Sequence, residues 1–94
     1  MNREAQTTTS HDEIRRWAEE RGGEPASVRD TEAGGEPGVL RIAFRAEQAE
    51  PALERISWES LFEKFEREKL AFLYQEKTRD GAQSRFFKFV QRDA

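Results

Sequence analysis

Apolar side chains recur with a helical period between residues 57 and 69. They stand three or four positions apart, which places them on one face of an α-helix. This face consists of Trp58, Leu61, Phe62 and Phe65. Ser57 can accept a hydrogen bond from the first-turn amides, while Ile56 and Leu61 occupy the positions of a hydrophobic staple. The pattern predicts an amphipathic helix that begins after Ser57 and ends near Lys69.

The segments 70–77 and 84–90 alternate with the period of two that is typical of β-strands. Asp80 and Gly81 between them favour a two-residue hairpin turn. Such a turn fixes which residues face each other across the hairpin. The predicted pairs are Phe72 with Phe89, Tyr74 with Phe87, and Glu76 with Arg85. Because both hairpin faces carry apolar residues, we expect either a cover on both faces or one exposed patch around Phe86.

The N-terminal half carries a weaker version of the same order of elements. Ser10 and Glu13 fit a capping box, which predicts a helix that ends at Gly22. Its narrow apolar face consists of Ile14, Trp17 and Ala18, and the stem of Arg21 continues the same face. Two strands are predicted after this helix, over residues 26–30 and 39–45. Turns or polar connections are predicted over residues 31–38 and 46–52.

The polar residues 1–9 have no apolar periodicity, and we expect a disordered tail there. Residues 10–94 are long enough for a single small domain. Together the elements predict an α+β fold in the order αββαββ, with two helices packed on a mainly antiparallel sheet of about four strands. The order helix-strand-strand occurs twice, but the two halves share no residue pattern that would indicate a repeat.

Composition limits the functions that this fold can serve. Hydrophobic residues are 35% and charged residues 37% of the 94 positions, so the core must be small and rich in aromatic rings. The sequence has no cysteine, which excludes disulfides and thiolate metal sites. No apolar run reaches the roughly 18 residues of a membrane span, so we expect a cytoplasmic protein with no membrane partner. A formal net charge of −3 argues against broad binding to phosphate backbones.

Residues that could support catalysis are few. His11 is the sole histidine, and we expect it to be a solvated residue in the first turn of a helix. Glu59, Glu63 and Glu66 fall on the polar side of the second helix, where a solvated face is the simpler interpretation. The glycines within 34–38 lack the Lys and Ser/Thr of a phosphate loop. The sequence therefore predicts no catalytic residues, no cofactor and no metal site, and we expect a protein that is not an enzyme.

Four segments carry a resemblance to a known family. They are HDEIRRWAEERGGEPA (His11 to Ala26), ISWESLFEKFE (Ile56 to Glu66), LAFLYQE (Leu70 to Glu76) and SRFFKFV (Ser84 to Val90). Their combination resembles a family of small bacterial proteins of uncharacterised function, some of which carry the label "1,4-alpha-glucan branching enzyme". A branching enzyme uses a (β/α)₈ barrel of about 250 residues. Because 94 residues cannot hold such a barrel, the resemblance implies no branching activity.

Three functions stay open, and we favour the first. It is a non-catalytic interaction module that binds a protein, or a second copy of the chain, through one face of the hairpin. The second is a single-stranded nucleic-acid binder. The third is a small carboxylate-dependent hydrolase or transferase that acts through Glu59, Glu63 and Glu76. The candidate interaction face consists of Arg41, Arg45, Arg85, Phe86 and Lys88.

Overall fold

The computed structural model describes residues 4–31 and 37–92. Within these ranges the chain forms six strands and two α-helices, with one turn of 3₁₀ helix at Arg45–Glu47. In chain order the elements are β1 (Ala5–Thr8), α1 (His11–Glu20), β2 (Glu24–Val28), β3 (Leu40–Ala43), β4 (Leu53–Arg55), α2 (Trp58–Arg67), β5 (Leu70–Gln75) and β6 (Phe87–Gln91). Most of the Gly-rich turn predicted over 31–38 lies outside the described residues.

Both predicted helices are confirmed, together with their N-caps. The Ser10 hydroxyl accepts a hydrogen bond from the amide of Glu13 at 3.2 Å. The Ser57 hydroxyl accepts one from the amide of Ser60 at 2.9 Å. Each bond satisfies one of the amides that a helix leaves without a partner in its first turn, which is why both helices begin directly after a serine.

The strands form two antiparallel sheets, with the orders β1-β5-β6 and β3-β2-β4. The α+β class is confirmed, whereas the order αββαββ and the single sheet of about four strands are not matched. β1 lies in the segment where we expected a disordered tail, and β4 follows the predicted connection 46–52. Both strands are short and mostly polar. Their own pattern therefore does not reveal that they pair with the apolar strands β5 and β2.

The two sheets come from a structural duplication in which the halves exchange their first strands. α1 begins at His11 and α2 at Trp58, and every later element of the second half follows its counterpart by about the same 47 positions. Strand pairing repeats as well, since Pro25 faces Ile42 as Phe72 faces Phe89. β1 of the first half joins the sheet of β5 and β6, and β4 of the second half joins the sheet of β2 and β3.

Equivalent positions of the two halves have the same burial or backbone conformation, although their side chains differ. Ile14 and Leu61 are both fully buried on their helices. Gly22 and Lys69 both take a left-handed conformation after a helix, with φ of 70° and 53°. Lysine pays a steric cost in that conformation that glycine avoids. Because burial and backbone geometry repeat while residue identity does not, the duplication is visible in the structure and hidden in the sequence.

One hydrophobic core serves both halves. Buried side chains from both helices and both sheets form a single cluster of Ile14, Trp17, Ala18, Leu40, Ile42, Leu61, Phe65, Phe72 and Tyr74. Trp17 lies at its centre, with its ring 5.3 Å from Phe72 and 6.0 Å from Phe87 in edge-on contacts. The molecule measures 42 × 35 × 18 Å, which fits one layer of helices on one layer of strands.

The predicted hairpin register is confirmed in the strands, but the turn differs. Phe72 faces Phe89 and Tyr74 faces Phe87. The turn contains three residues, since the amide of Thr78 donates to the carbonyl of Ala82 at 2.7 Å and Gly81 has φ of 88°. One extra residue at 84–86 then restores the predicted pairing, as in a β-bulge. Glu76 consequently does not face Arg85, and its carbonyl instead accepts from the amide of Ser84.

A buried arginine fixes this bulge to α1. The Arg21 side chain is 1% exposed, and its guanidinium lies 4.4 Å from the Trp17 ring. It donates to the carbonyls of Trp17 at 2.9 Å, of Glu76 at 3.0 Å, and of Ser84. The helical spacing places the stem of Arg21 on the apolar face of α1, but it indicates no partners for the guanidinium, because arginine is rarely fully buried. Here the guanidinium donates hydrogen bonds to these backbone carbonyls and also contacts the Glu76 carboxylate at 3.4 Å.

A proline pair tests whether β1 belongs to the sheet. Gln6 faces Tyr74, and the alternation of the ladder directs its amide toward β5, whereas the amide of Thr7 points away from the sheet. We expect Gln6→Pro to lower the free energy of unfolding by about 1–3 kcal/mol more than Thr7→Pro, because only the first leaves a strand carbonyl without its donor. Urea denaturation measures both values. Equal effects would mean that β1 does not pair with β5.

Candidate interaction site

Side chains at the edge strands β3 and β6 come into contact, although the two strands belong to different sheets. Neither has a second partner among the described strands. The Phe44 and Phe87 rings are 5.9 Å apart, and the guanidinium of Arg41 lies 5.9 Å from the Phe87 ring. The guanidinium of Arg85 lies 5.8 Å from the Phe44 ring. These contacts bring the side chains at the two sheet edges into one region of the surface.

Each of the two edges directs backbone donors and acceptors away from its own sheet. The amide of Val28 donates to the carbonyl of Val39, so alternate residues of β3 face β2 and the intervening Leu40 and Ile42 face away. By the same alternation, Phe87, Phe89 and Gln91 of β6 face away from β5. Unpaired groups of this kind form a template on which another strand can add.

A groove of about 350 Å³ opens between these edges, and we call it the β3–β6 groove. Its apolar lining consists of Val39, Leu40, Leu70, Phe87 and Phe89. Its charged lining consists of Arg41, Lys64, Glu68 and Lys88. The volume falls within the range of roughly 300–1,000 Å³ that is typical of ligand sites. The groove therefore has an apolar floor and two strand edges, and its described lining carries three positively charged side chains and one carboxylate.

Helix α2 holds one of these cations at the groove. The ammonium of Lys64 donates to the carbonyls of Pro37 at 2.9 Å and Gly38 at 2.6 Å, which lie just before β3. Both acceptors are uncharged backbone carbonyls, so these two bonds do not neutralise the positive charge of the ammonium. They also attach the start of β3 to the helix, so the groove has a fixed wall at this end.

The two large exposed apolar residues of the described chain stand at the starts of the same two edges. Val39 is 54% exposed and precedes β3, and Phe86 is 45% exposed and precedes β6. They occupy equivalent positions of the duplication, 47 residues apart. Single exposed apolar residues are common on protein surfaces, but here Val39 lines the groove and Phe86 directly precedes Phe87, which also lines it.

The structure brings part of the predicted interaction face together. Arg41 and Lys88 line the β3–β6 groove, and Arg85 and Phe86 lie directly before β6. Arg45 does not join them, since it lines a separate depression of about 640 Å³ at the end of α1, with Gly22, Gln48 and Trp58. Whether these residues bind a partner stays a prediction.

Of the residues that line the groove, only Arg41 and Lys88 belong to the predicted interaction face. Val39 and Lys64 are two of those that the sequence did not indicate: the first falls in the predicted strand 39–45 and the second in the predicted helix after Ser57. Neither had a signal of its own, because the groove exists only where two strand edges from different halves meet.

His11 is more constrained than we expected from the sequence. Its ring stacks on Phe62 at 4.1 Å, and its Nε2 lies 2.7 Å from a carboxylate oxygen of Glu66. It therefore links the start of α1 to α2 instead of being simply solvated. The contact joins residues 55 positions apart, so no local pattern could indicate it.

Of the three carboxylates proposed for catalysis, two lie together with Glu66 and the third lies apart. Glu59 and Glu63 line an open depression beside His11 on α2, whereas Glu76 contacts Arg21 on the hairpin side of α1. No group of three or more acidic or histidine residues that could hold a metal ion occurs within 4–31 and 37–92. In the same ranges no helix is both long and apolar enough to cross a membrane.

Comparison with known proteins finds no matching family model, no matching curated protein and no matching solved structure. The resemblance to the small bacterial family therefore stays a prediction.

The contact between α1 and α2 predicts a pH dependence of stability. Hydrogen bonds from His11 and Arg92 lower the pKa of Glu66 below its usual value. A carboxyl whose pKa is lowered on folding stabilises the fold above its usual pKa, and this contribution is lost as the pH falls through the lowered value. We expect Glu66→Gln to lower the melting temperature at about pH 7 and to change it little at about pH 2.

Glu63→Gln is the matched control, because it removes an exposed carboxylate from the same helix. Thermal melts followed by circular dichroism across the acid range measure both variants. An equal loss of stability in Glu66→Gln at both pH values would contradict the expected role of the ionised carboxylate.

Proposed function

We propose that the protein is a non-catalytic protein-interaction module whose binding surface is the β3–β6 groove. One observation carries this proposal: two strand edges with unpaired backbone groups border the same apolar groove. An extended segment of a partner can satisfy those groups by adding as a strand, while the groove receives its alternate side chains. The surface includes the C-terminal hairpin favoured by the sequence, and it extends to β3 of the first half.

Single-stranded nucleic acid is the weaker candidate. Stacking of bases requires aromatic faces that are open to solvent. The Phe87 ring is already packed against Trp17, Phe72 and other aromatic rings, with Arg41 over it. Phe86 is then the remaining exposed ring beside the basic residues of the groove.

A cytoplasmic location is part of the proposal and rests on the sequence alone.

The carboxylate-dependent enzyme has less support than either binding function. Acid–base chemistry needs two groups positioned around one substrate. Glu59 and Glu63 lie at a depression that is open to solvent, and the third acid, Glu76, lies outside it and accepts a hydrogen bond from Arg21. We therefore propose no reaction for this chain.

Selection from an unbiased library of displayed peptides tests the proposed function. We expect peptides that bind the wild-type protein and bind the Val39→Asp variant at least about tenfold more weakly, since the change places a charge at the apolar rim. Val39 is 54% exposed, so the variant should keep the fold. Ala5→Asp on the distant edge strand β1 is the matched control and should bind normally.

The mode of binding is tested on the ligand side. Methylation of alternate backbone nitrogens in a selected peptide removes one set of strand hydrogen bonds, and methylation of the other set does not. We expect only one of the two methylated forms to lose binding. Binding that is insensitive to Val39→Asp, or equal losses with both forms, would contradict strand addition in this groove.

A further inference from the structure

We infer that the β3–β6 groove binds an extended segment with the pattern acidic–apolar–acidic, added as a strand along β6. This inference rests on the proposed function and specifies its partner. It commits to an acidic partner segment as the occupant, in preference to a second copy of the chain.

The charge of the groove is opposite to that of the molecule. The chain has a formal net charge of −3, yet the described residues that line the groove include three cations, Arg41, Lys64 and Lys88, and one acid, Glu68. Separation of charge of this kind favours partners of the complementary sign, and it raises their rate of association. An acidic segment meets this requirement, whereas a basic or neutral one does not.

Two of the cations lie on the same side of the added strand. Arg41 faces Ala26 and Lys88 faces Leu73, so both belong to the faces opposite the buried residues Ile42 and Phe72. They are equivalent positions of the duplication, and they flank the groove from its two edges. Side chains of an added strand that point to this outer face therefore lie between two positive charges.

The inward side of the groove has the opposite character. Leu40, Leu70 and Phe89 form an apolar floor beneath the two edges. Because successive side chains of a strand point to opposite faces, every second residue of the ligand points to this floor. An apolar residue between two acids places its side chain on the floor and both carboxylates near the cations. This alternation is the basis of the acidic–apolar–acidic pattern.

β6 is the better edge for the added strand. It offers the outward backbone groups of Phe87, Phe89 and Gln91, whereas β3 offers those of Leu40 and Ile42. The start of β3 is also attached to α2 through Lys64, which acts as the wall opposite the ligand. Three residues with unpaired groups supply more ladder hydrogen bonds than two.

Three labelled peptides of seven residues test the pattern by fluorescence anisotropy. The first has Glu-Leu-Glu at its centre, the second Lys-Leu-Lys, and the third the same composition as the first with both acids moved next to each other. We expect the first to bind at least about tenfold more tightly than either of the others, because only it satisfies both faces. We also expect its affinity to fall as salt is raised, because salt screens exposed charges.

Charge reversal in the protein provides the matched test. We expect Lys88→Glu to weaken the acidic peptide at least about tenfold and to improve binding of the Lys-Leu-Lys peptide. Lys77→Glu, an exposed lysine outside the strands, is the control for the same change of net charge and should leave binding near the wild-type value. Circular dichroism of both variants confirms that the fold is kept.

The outcomes separate this inference from the proposed function. Selected peptides that depend on Val39 but carry no acidic preference would overturn the acidic pattern and leave the interaction module intact. A dimer measured by light scattering that Lys88→Glu dissociates would show a second copy in the groove and would also overturn the inference. If no peptide binds in a Val39-dependent manner, the proposed function itself is wrong.

Discussion

The fold depends on the exchange of first strands between the two halves of the chain. β5 of the second half has β6 on one side and needs β1 of the first half on the other. β2 is completed in the same way by β4. Each apolar central strand thus takes one of its two neighbours from the other half. The hydrophobic core also contains residues of both halves. We therefore expect the two halves to unfold together in one cooperative transition.

The same exchange explains where the candidate site lies. The first strands cover the far edges of the central strands, and the last strand of each half remains at an edge. Packing of both sheets against one layer of helices then brings those two last strands together. The β3–β6 groove is consequently a product of topology. It needs no sequence motif, which accounts for the absence of any recognisable site signature in the chain.

Local physics determined what could be predicted from the sequence. The serine caps and apolar stripes of both helices are encoded within a few residues, and so is the alternation of the hairpin strands. The pairing of Phe72 with Phe89 was right although the turn was not, because the bulge at 84–86 offsets the third turn residue. Arg21 supports that bulge from α1, and this support depends on tertiary contacts that no local pattern contains.

The other features that the sequence did not indicate have the same origin. β1 is a run of small and polar residues whose strand conformation comes from its apolar neighbour β5. The pairing of His11 with Glu66 depends on the crossing of two helices that are distant in sequence. Within the candidate interaction face, Arg41 and Lys88 line the same groove because they occupy equivalent positions on its two edges. Arg45 lies apart because it belongs to the 3₁₀ turn that follows β3.

The duplication also gives the groove a polarity. Lys64 on α2 corresponds to Trp17 on α1, since each stands in the same position of its helix. On the α1 side the indole of Trp17 fills the space against Phe87, while on the α2 side lysine leaves it open. In the mode of binding that we propose, two edges lined by equivalent residues would accept a strand in either direction. The replacement of an indole by an ammonium breaks that equivalence, so a strand bound in this way would have a preferred direction.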